Sequence, residues 1–107
     1  MEIVRTNRYL KDLKRLNASK SDINALESMI AQSPLSGDVI PGLRGLRKIR
    51  FAFGGRGKRG GGRAIYFLRI SEELVIMLNA YAKNEQEDLT SDQKKLALAL
   101  LKEFEHE

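Results

Sequence analysis

The sequence of 107 residues contains no cysteine and a single histidine, His106, beside its C-terminus. Without cysteine there are no disulfides, no thiolate metal ligands and no thiol nucleophile. One histidine near a chain end, where residues often fray, does not supply a histidine metal site or a histidine-centred triad. We therefore expect neither a metal nor an organic cofactor, and the lack of cysteine agrees with a reducing cytosol.

Long hydrophobic runs are also missing. The N-terminus has no apolar stretch of signal-peptide length, and no run approaches the roughly 20 residues of a membrane-spanning helix. Apolar residues make up 42% of the chain, which argues against global disorder. The sequence thus predicts one soluble, cytoplasmic domain over residues 1–107, with no membrane partner.

Acidic residues are absent from one continuous block. Val39–Ser71 contains nine Lys or Arg in 33 residues, whereas the other 74 residues carry ten basic and fourteen acidic side chains. The formal net charge of +5 therefore comes from this block, because the remainder is net −4. Such a concentration of positive charge favours a polyphosphate partner such as a nucleic acid.

The densest part of the block is Gly54–Arg63, with six glycines and four cations in ten residues. Because strand-like runs flank it, we predict a hairpin loop, and loops of this composition are in general simply solvated turns. Here the cations of the loop and of the preceding strand favour contact with nucleic acid. The residues predicted to bind RNA in this way are Arg47, Arg56, Lys58 and Arg59.

Hydrophobic periodicity predicts the element order β-α-α-β-β-β-α. A short strand at Glu2–Arg5 precedes two helices, and a terminal helix begins after the capping residue Thr90. The three later strands are predicted at 46–53, 63–70 and 74–82. The fold class is therefore α+β: an antiparallel sheet with the first strand at an edge, a helical hairpin on one face, and cations of the middle strands on the other.

Three stretches of the sequence, in this element order, resemble the RelE-type toxins of bacterial toxin–antitoxin pairs, particularly the HigB branch. They are Gly42–Arg50 (GLRGLRKIR), Gly57–Tyr66 (GKRGGGRAIY) and Tyr81–Thr90 (YAKNEQEDLT). The resemblance implies a RelE-like fold and a toxin that enters the ribosomal decoding site and cuts messenger RNA there. It also implies a cognate antitoxin, in this branch often a helix-turn-helix DNA-binding protein.

The resemblance further implies a catalytic set. The family's paired cations on the second strand fall on Lys48 and Arg50, the arginine expected at the scissile phosphate falls on Arg63, and the basic position after the last strand falls on Lys83. Arginine suits bidentate stabilisation of the phosphorane that forms when the RNA 2′-hydroxyl attacks without a metal. A tyrosine that some members carry downstream is replaced by Asp88–Thr90, so the general base is unassigned, and no carboxylate is expected near the basic block.

Other functions share the fold or the charge. A ParE-type toxin has the same fold but poisons DNA gyrase, which requires no set of phosphate-binding cations, so the basic residues favour the RNA-cutting branch. A non-catalytic RNA- or DNA-binding module needs only the positive patch. A structural accessory protein needs only the scaffold.

Individual residues also have purely structural interpretations. Lys48 and Arg50 could be ordinary cations on the solvent face of a strand, and Arg63 could form an ion pair with Glu72 or Glu73. The predicted role of Tyr66 and Tyr81 is packing in or beside the core, not stacking on bases.

Overall fold

The computed structural model describes residues 1–55 and 61–104, which form three α-helices, a 3₁₀ turn and a five-stranded sheet. In chain order the elements are β1 (Glu2–Arg5), α1 (Asn7–Arg15), α2 (Lys20–Gln32), β2 (Asp38–Val39), β3 (Arg47–Phe51), β4 (Gly62–Arg69), the 3₁₀ turn (Ile70–Glu72), β5 (Leu74–Ala82) and α3 (Ser91–Glu103). The predicted α+β architecture and the order of its main elements are confirmed.

The sheet has the strand order β1-β5-β4-β3-β2. Its centre is the antiparallel pair of β4 and β5, with β3 antiparallel on the other side of β4. β1 adds at the edge, as predicted, and runs parallel to β5. This direction brings the end of β1 beside Met77 in the middle of β5, from where α1 packs across the same strand. The two-residue β2, which no periodicity could indicate, adds to β3 at the opposite edge.

α1 and α2 cover one face of the sheet, here called the hairpin face. Ser19 is the N-cap of α2 and forms a capping box with Asp22. Glu27 is buried under these helices, where it accepts a hydrogen bond from Tyr9 Oη at 2.9 Å and pairs with Arg5. One carboxylate thus joins α2 to both α1 and β1. The core of this face is built from residues that include Tyr9, Leu13, Leu26, Ile30, Ile49, Phe51, Tyr66 and Met77.

α3 covers part of the opposite face, here called the cleft face. The helix begins at the predicted capping box of Thr90 and Gln93, and its buried residues Ala97 and Leu101 pack on the sheet. The strand and loop residues beneath it include Leu43, Leu46, Ile65, Ile76 and Leu78. Among the residues described, no helix is both long enough and apolar enough to span a membrane.

β5 contains one residue more than its pairing with β4 requires. Ile65 pairs with Asn79, but the next residue, Tyr66, pairs with Met77, so Leu78 has no partner in β4. An extra residue of this kind is a β-bulge, and it interrupts the alternation of side chains between the two faces. Leu78 and Asn79 consequently both face the side on which α3 lies.

Beyond the end of β1, side chains of α1 form hydrogen bonds with backbone groups at the edge of β5. The Ala80 amide donates to Asp12 Oδ2 at 3.0 Å, and Arg15 donates to the Ala80 carbonyl at 3.4 Å. Buried backbone groups require such partners. The contacts explain why Asp12 is buried although it lies on a helix rich in lysine and arginine.

The residues on both sides of the undescribed segment 56–60 are held by hydrogen bonds. Gly54 donates its amide to Asp22 Oδ2 at 3.2 Å. The amides of Ser19 and Gly54 both bind this carboxylate and hold the pKa of Asp22 below its usual value. On the other side, the Gly61 carbonyl accepts from the Lys83 amide at 2.9 Å. The strands that lead into and out of the glycine-rich segment are thereby anchored to α2 and to the end of β5.

Gly62 allows β4 to pass against the core ring of Phe51, and this contact yields a prediction. A Cβ atom at position 62 would lie 2.5 Å from Phe51 Cε1 and 2.6 Å from Cζ. Because Phe51 is fully buried, we expect Gly62→Ala to lower the free energy of unfolding by about 1–3 kcal/mol, measured by urea denaturation. In a Phe51→Leu background, which lacks these ring carbons, the additional loss should be much smaller. Equal losses in both backgrounds would show that the contact is not the cause.

Candidate active site

The four cations predicted to be catalytic line one cleft on the cleft face of the sheet. Lys48 and Arg50 come from β3, Arg63 from β4, and Lys83 from the first position after β5. The cleft, here called the basic cleft, has a volume of about 320 Å³ and is lined by Asp38, Lys48, Arg50, Arg63, Lys83, Glu87 and Asp88. The structure thus brings the four residues together, and their catalytic role stays a prediction.

The pairing of β4 with its two neighbours produces this cluster. Arg63 lies directly opposite Arg50 in β3 and directly opposite Tyr81 in β5. Opposed residues project to the same face, with Cβ atoms roughly 5 Å apart. Like charges in this arrangement destabilise a sheet. Two opposed arginines therefore point to a function beyond folding.

Arg63 is the most deeply placed cation of the set, with 5% of its surface exposed. Its Nη1 donates to the Gly62 carbonyl at 2.9 Å. Burial, followed by the positive charge of Arg50, lowers the pKa of Arg63, although a guanidinium stays charged at neutral pH. Glu72, one of the proposed structural partners of Arg63, pairs instead with Arg69 at 3.2 Å.

Three carboxylates also enter the basic cleft, so the expectation that none lies near the basic block is wrong. Asp38 comes from β2, while Glu87 and Asp88 follow β5. Asp88 is largely exposed, and its Oδ1 lies 3.1 Å from Lys48 Nζ in an ion pair. Asp38 immediately precedes the basic block and comes beside Lys48 because β2 pairs with β3, whereas Glu87 and Asp88 lie after the block in the chain and reach it only through the fold.

The segment that follows β5 is fixed near Lys83 by Glu85. The Glu85 carboxylate accepts from the Ala82 amide at 2.9 Å and from Arg15 of α1 at 2.8 Å. Burial alone would raise the pKa of Glu85, but these two partners outweigh it and leave that pKa below its usual value. Glu85 therefore fixes the turn that contains Lys83 to the end of β5 and to α1, contacts that the sequence did not reveal.

The same segment is fixed near Asp88 by two glutamines. Gln86 Nε2 donates to the Asp88 carbonyl at 2.8 Å and to Gln93 Oε1 at 2.6 Å. Gln93 is also the capping-box residue of α3. The start of α3 is thereby joined to the backbone of Asp88, and the capping box was the one signal of this in the sequence.

Tyr81 lies beside the Lys48–Asp88 ion pair and is fully buried. Its hydroxyl has no hydrogen-bond partner within residues 1–55 and 61–104. Burial, and then the negative charge of Asp88, raise the pKa of Tyr81 to about 12, while Arg63 acts in the opposite direction. Tyr66 is also fully buried, so the predicted core placement of both tyrosines is confirmed.

Arg47, one of the four residues predicted to bind RNA, does not line the basic cleft. Arg47 donates to the Gly37 carbonyl at 2.7 Å and to the Leu35 carbonyl at 3.3 Å, so it ties β3 to the loop before β2. Strand alternation turns Arg47 away from the side that Lys48 occupies. The other three, Arg56, Lys58 and Arg59, lie outside the described residues. RNA contact by all four stays a prediction.

The fold is shared with solved structures of low sequence identity. A double arginine-to-alanine mutant of the Escherichia coli toxin RelE, in the free state, is 14% identical, with a TM-score of 0.61 over 94% of this chain and 96% of that chain. A conserved hypothetical protein from Helicobacter pylori, solved in solution, is 16% identical, with a TM-score of 0.51 over 79% of this chain and 97% of that chain. Both similarities show a common fold.

A family model extends the similarity to the sequence itself. The model described as the RelE toxin of the RelE/RelB toxin–antitoxin system matches residues 1–106. The resemblance to RelE-type toxins is therefore confirmed, while the HigB branch stays a prediction. The match spans nearly the whole chain, including the strands and the segment that build the basic cleft. This chain belongs to the RelE toxin family, and a cognate antitoxin is the partner that membership implies.

Proposed function

We propose that this toxin is an endoribonuclease that cleaves messenger RNA on the ribosome and so inhibits translation, without a metal ion. The single observation that carries the proposal is the convergence of Lys48, Arg50, Arg63 and Lys83 on one polar cleft that also contains the carboxylate of Asp88. A gyrase-poisoning toxin of the same fold or a passive nucleic-acid-binding module would not require cations and a carboxylate at this spacing.

The cations suit the charge that develops during cleavage. Attack of the RNA 2′-hydroxyl on the adjacent phosphate produces a phosphorane with added negative charge on its non-bridging oxygens. The opposed guanidinium groups of Arg50 and Arg63 can each donate two hydrogen bonds to such oxygens. Because Arg63 is buried and bonded to the Gly62 carbonyl, its orientation is set before the substrate arrives.

Asp88 is the group best placed to accept the proton of the 2′-hydroxyl. Its carboxylate lies in the basic cleft, where Oδ1 is 3.1 Å from Lys48 Nζ, and a carboxylate in this position can accept a proton. Tyr81 is unsuited to this role because a pKa of about 12 keeps its hydroxyl protonated at neutral pH.

The leaving group receives its proton from a residue at the other end of the basic cleft. As the phosphorus–oxygen bond breaks, the departing 5′-oxygen takes a proton from the ammonium group of Lys83. The products are a 2′,3′-cyclic phosphate and a free 5′-hydroxyl. In this mechanism Asp88 and Lys83 carry out the two proton transfers, and the arginines stabilise the negative charge of the phosphorane.

Dependence on the ribosome follows from the openness of this site. Asp88 and Lys83 are exposed, and within the described residues the basic cleft offers no enclosed pocket for a nucleotide base. A toxin that makes so few positioning contacts gains most in cleavage rate when another macromolecule holds the substrate in line for attack. Positioning supplies much of a rate enhancement. The decoding site, where a single strand of messenger RNA is already held, supplies that positioning.

The first test removes the cations. We expect Arg63→Ala to reduce cleavage of ribosome-bound messenger RNA by about 100-fold or more, and Arg63→Lys to recover part of the rate because it restores charge but not bidentate geometry. Lys83→Ala should also slow cleavage, whereas Lys95→Ala, an exposed lysine of α3, should not. Because Arg63 is buried, folding of each variant is checked by circular dichroism. Parental cleavage by a folded Arg63→Ala variant would refute the proposal.

The second test separates the two candidate proton acceptors. Asp88→Asn keeps the shape of the side chain but removes its basicity, and we expect cleavage to fall by about 100-fold or more with ribosome affinity within a factor of about two of the parent. Tyr81→Phe should retain cleavage, since it removes a buried hydroxyl that has no partner among the described residues. The reverse outcome, loss with Tyr81→Phe and activity with Asp88→Asn, would overturn the assignment of Asp88.

The third test measures how many phosphates the basic cleft neutralises. If its four cations each contact a phosphate of single-stranded RNA, a plot of log affinity against log salt should have a slope of about −3. Lys48→Ala should make the slope less negative by about 0.7, and Lys95→Ala should leave it unchanged. The measurement is fluorescence polarisation with a labelled oligonucleotide. A parental slope near zero would mean that the cleft is merely a solvated surface.

A further inference from the structure

A second cleft, between α1 and α3, exposes an unexplained buried amide. Asn79 has 4% of its surface exposed, and neither its Nδ2 nor its Oδ1 has a hydrogen-bond partner in the described ranges 1–55 and 61–104. Buried polar groups in native proteins nearly always have partners, so an amide without any requires an explanation. The bulge in β5 is the feature that turns Asn79 toward α3.

This second cleft, here called the Asn79 cleft, combines polar and apolar walls. Its volume is about 190 Å³, and its lining includes Arg8, Asp12, Asp92, Gln93, Leu96 and Leu100. The polar residues gather around α1 and the first turn of α3, while the leucines continue along α3. Leu96 is 39% exposed, which is unusual for a leucine bordering a buried polar group.

The volume of the cleft limits what can enter it. Pockets for nucleotides and drug-sized ligands occupy roughly 300–1,000 Å³, whereas a cavity of roughly 150 Å³ holds a group the size of benzene. At about 190 Å³, the Asn79 cleft therefore accepts one amino-acid side chain and not a nucleotide. An occupant of this size is held firmly only if it is part of a larger partner that also binds the surrounding surface.

The charges around the cleft limit the chemistry of the occupant. A carboxylate would bond to Asn79 Nδ2 but would leave Oδ1 unpaired and would face Asp12 and Asp92. A guanidinium or ammonium group would be attracted by Asp12 and Asp92, but it would bond only to Oδ1 and would leave Nδ2 unpaired. A carboxamide satisfies both atoms of Asn79 with two antiparallel hydrogen bonds and carries no charge.

We propose that the Asn79 cleft receives the carboxamide of a Gln or Asn side chain from the antitoxin, with the aliphatic part of that side chain against Leu96 and Leu100. The antitoxin is the protein partner that family membership implies. The proposal rests on this membership and not on the proposed cleavage of messenger RNA. A backbone peptide group has the same polar atoms, but the cleft has room for one side chain and not for a continuous chain.

The deciding variant is Asn79→Leu, assayed with the antitoxin encoded beside the toxin. Leucine replaces the carboxamide with an apolar group of similar size, so no polar group without a partner stays buried at this position. The free variant should therefore be at least as stable as the parent in thermal denaturation. Two lost hydrogen bonds should weaken antitoxin binding by about tenfold or more in calorimetry. If Asn79 serves only the fold, the variant will instead be less stable and bind the antitoxin as the parent does, and the proposal is then wrong.

A second measurement tests the chemistry of recognition directly. In the free toxin, the side-chain amide resonance of Asn79 is followed by NMR while N-acetylglutamine N-methylamide or N-acetylglutamate N-methylamide is added, of which only the glutamine compound carries a primary carboxamide. The glutamine compound should shift the resonance in a saturable manner, and the glutamate compound should not. Equal shifts with both compounds, or no shift with either, would contradict recognition of a carboxamide.

A matched control examines another exposed apolar surface, beside the C-terminal end of β4. There Met1, Leu35 and Ile70 are exposed beside Leu68. We expect Ile70→Ser to leave antitoxin affinity within a factor of about two of the parent, a negligible change in binding free energy. Loss of affinity with Ile70→Ser, but not with Asn79→Leu, would place the antitoxin on this patch and overturn the proposal.

Cleavage of ribosome-bound messenger RNA, measured without antitoxin, separates this proposal from the proposed function. Asn79→Leu should cleave as the parent does, because Asn79 does not line the basic cleft. If neither the parent nor the Asn79→Leu variant cleaves messenger RNA, but the variant still binds the antitoxin more weakly, the proposed function is wrong and the proposed role of the Asn79 cleft is supported.

Discussion

The antiparallel pairing of β4 with β3 and β5 is the constraint on which the rest of the molecule depends. It places Arg63 level with Arg50 on one side and with Tyr81 on the other. A slip of one residue would turn Arg63 from the cleft face to the hairpin face, under α1 and α2. Gly62, pressed against Phe51, stands at the point where this register begins. The packing of the core and the position of the charged groups are therefore set by the same hydrogen bonds.

The basic cleft brings cations close together, and the fold has to offset their mutual repulsion. Opposed cations repel one another, and the segment after β5 offsets this by bringing Asp88 to Lys48. That segment has little apolar surface of its own, so hydrogen bonds from Glu85 and Gln86 hold it in place. Gln93 binds Gln86 and also lines the Asn79 cleft, so a single side chain of α3 connects that cleft with the segment after β5.

The sequence predicted those elements whose signals are local. Leu74–Ala82 was identified to the residue because it is apolar on both faces, and α3 was located by the capping box at Thr90. The two-residue β2 has no periodicity to detect, and the approach of Asp88 to the basic block depends on the return of the chain after β5. The four cations of the basic cleft were assigned through resemblance to a family, and periodicity alone left them as ordinary surface residues. A bulge at Leu78 is invisible in an uninterrupted apolar run.

The same bulge has an evolutionary consequence. With Leu78 unpaired, β5 carries one spare residue between two correctly registered halves. Loss of that residue in a lineage would restore regular alternation while Tyr81 continued to point to the same side, because its pairing with Arg63 is counted from Asn79 onward. β5 can thus lose one residue while its remaining side chains keep facing the same sides of the sheet. In an unbulged strand of the same length, such a loss would turn the side chains that follow to the opposite face.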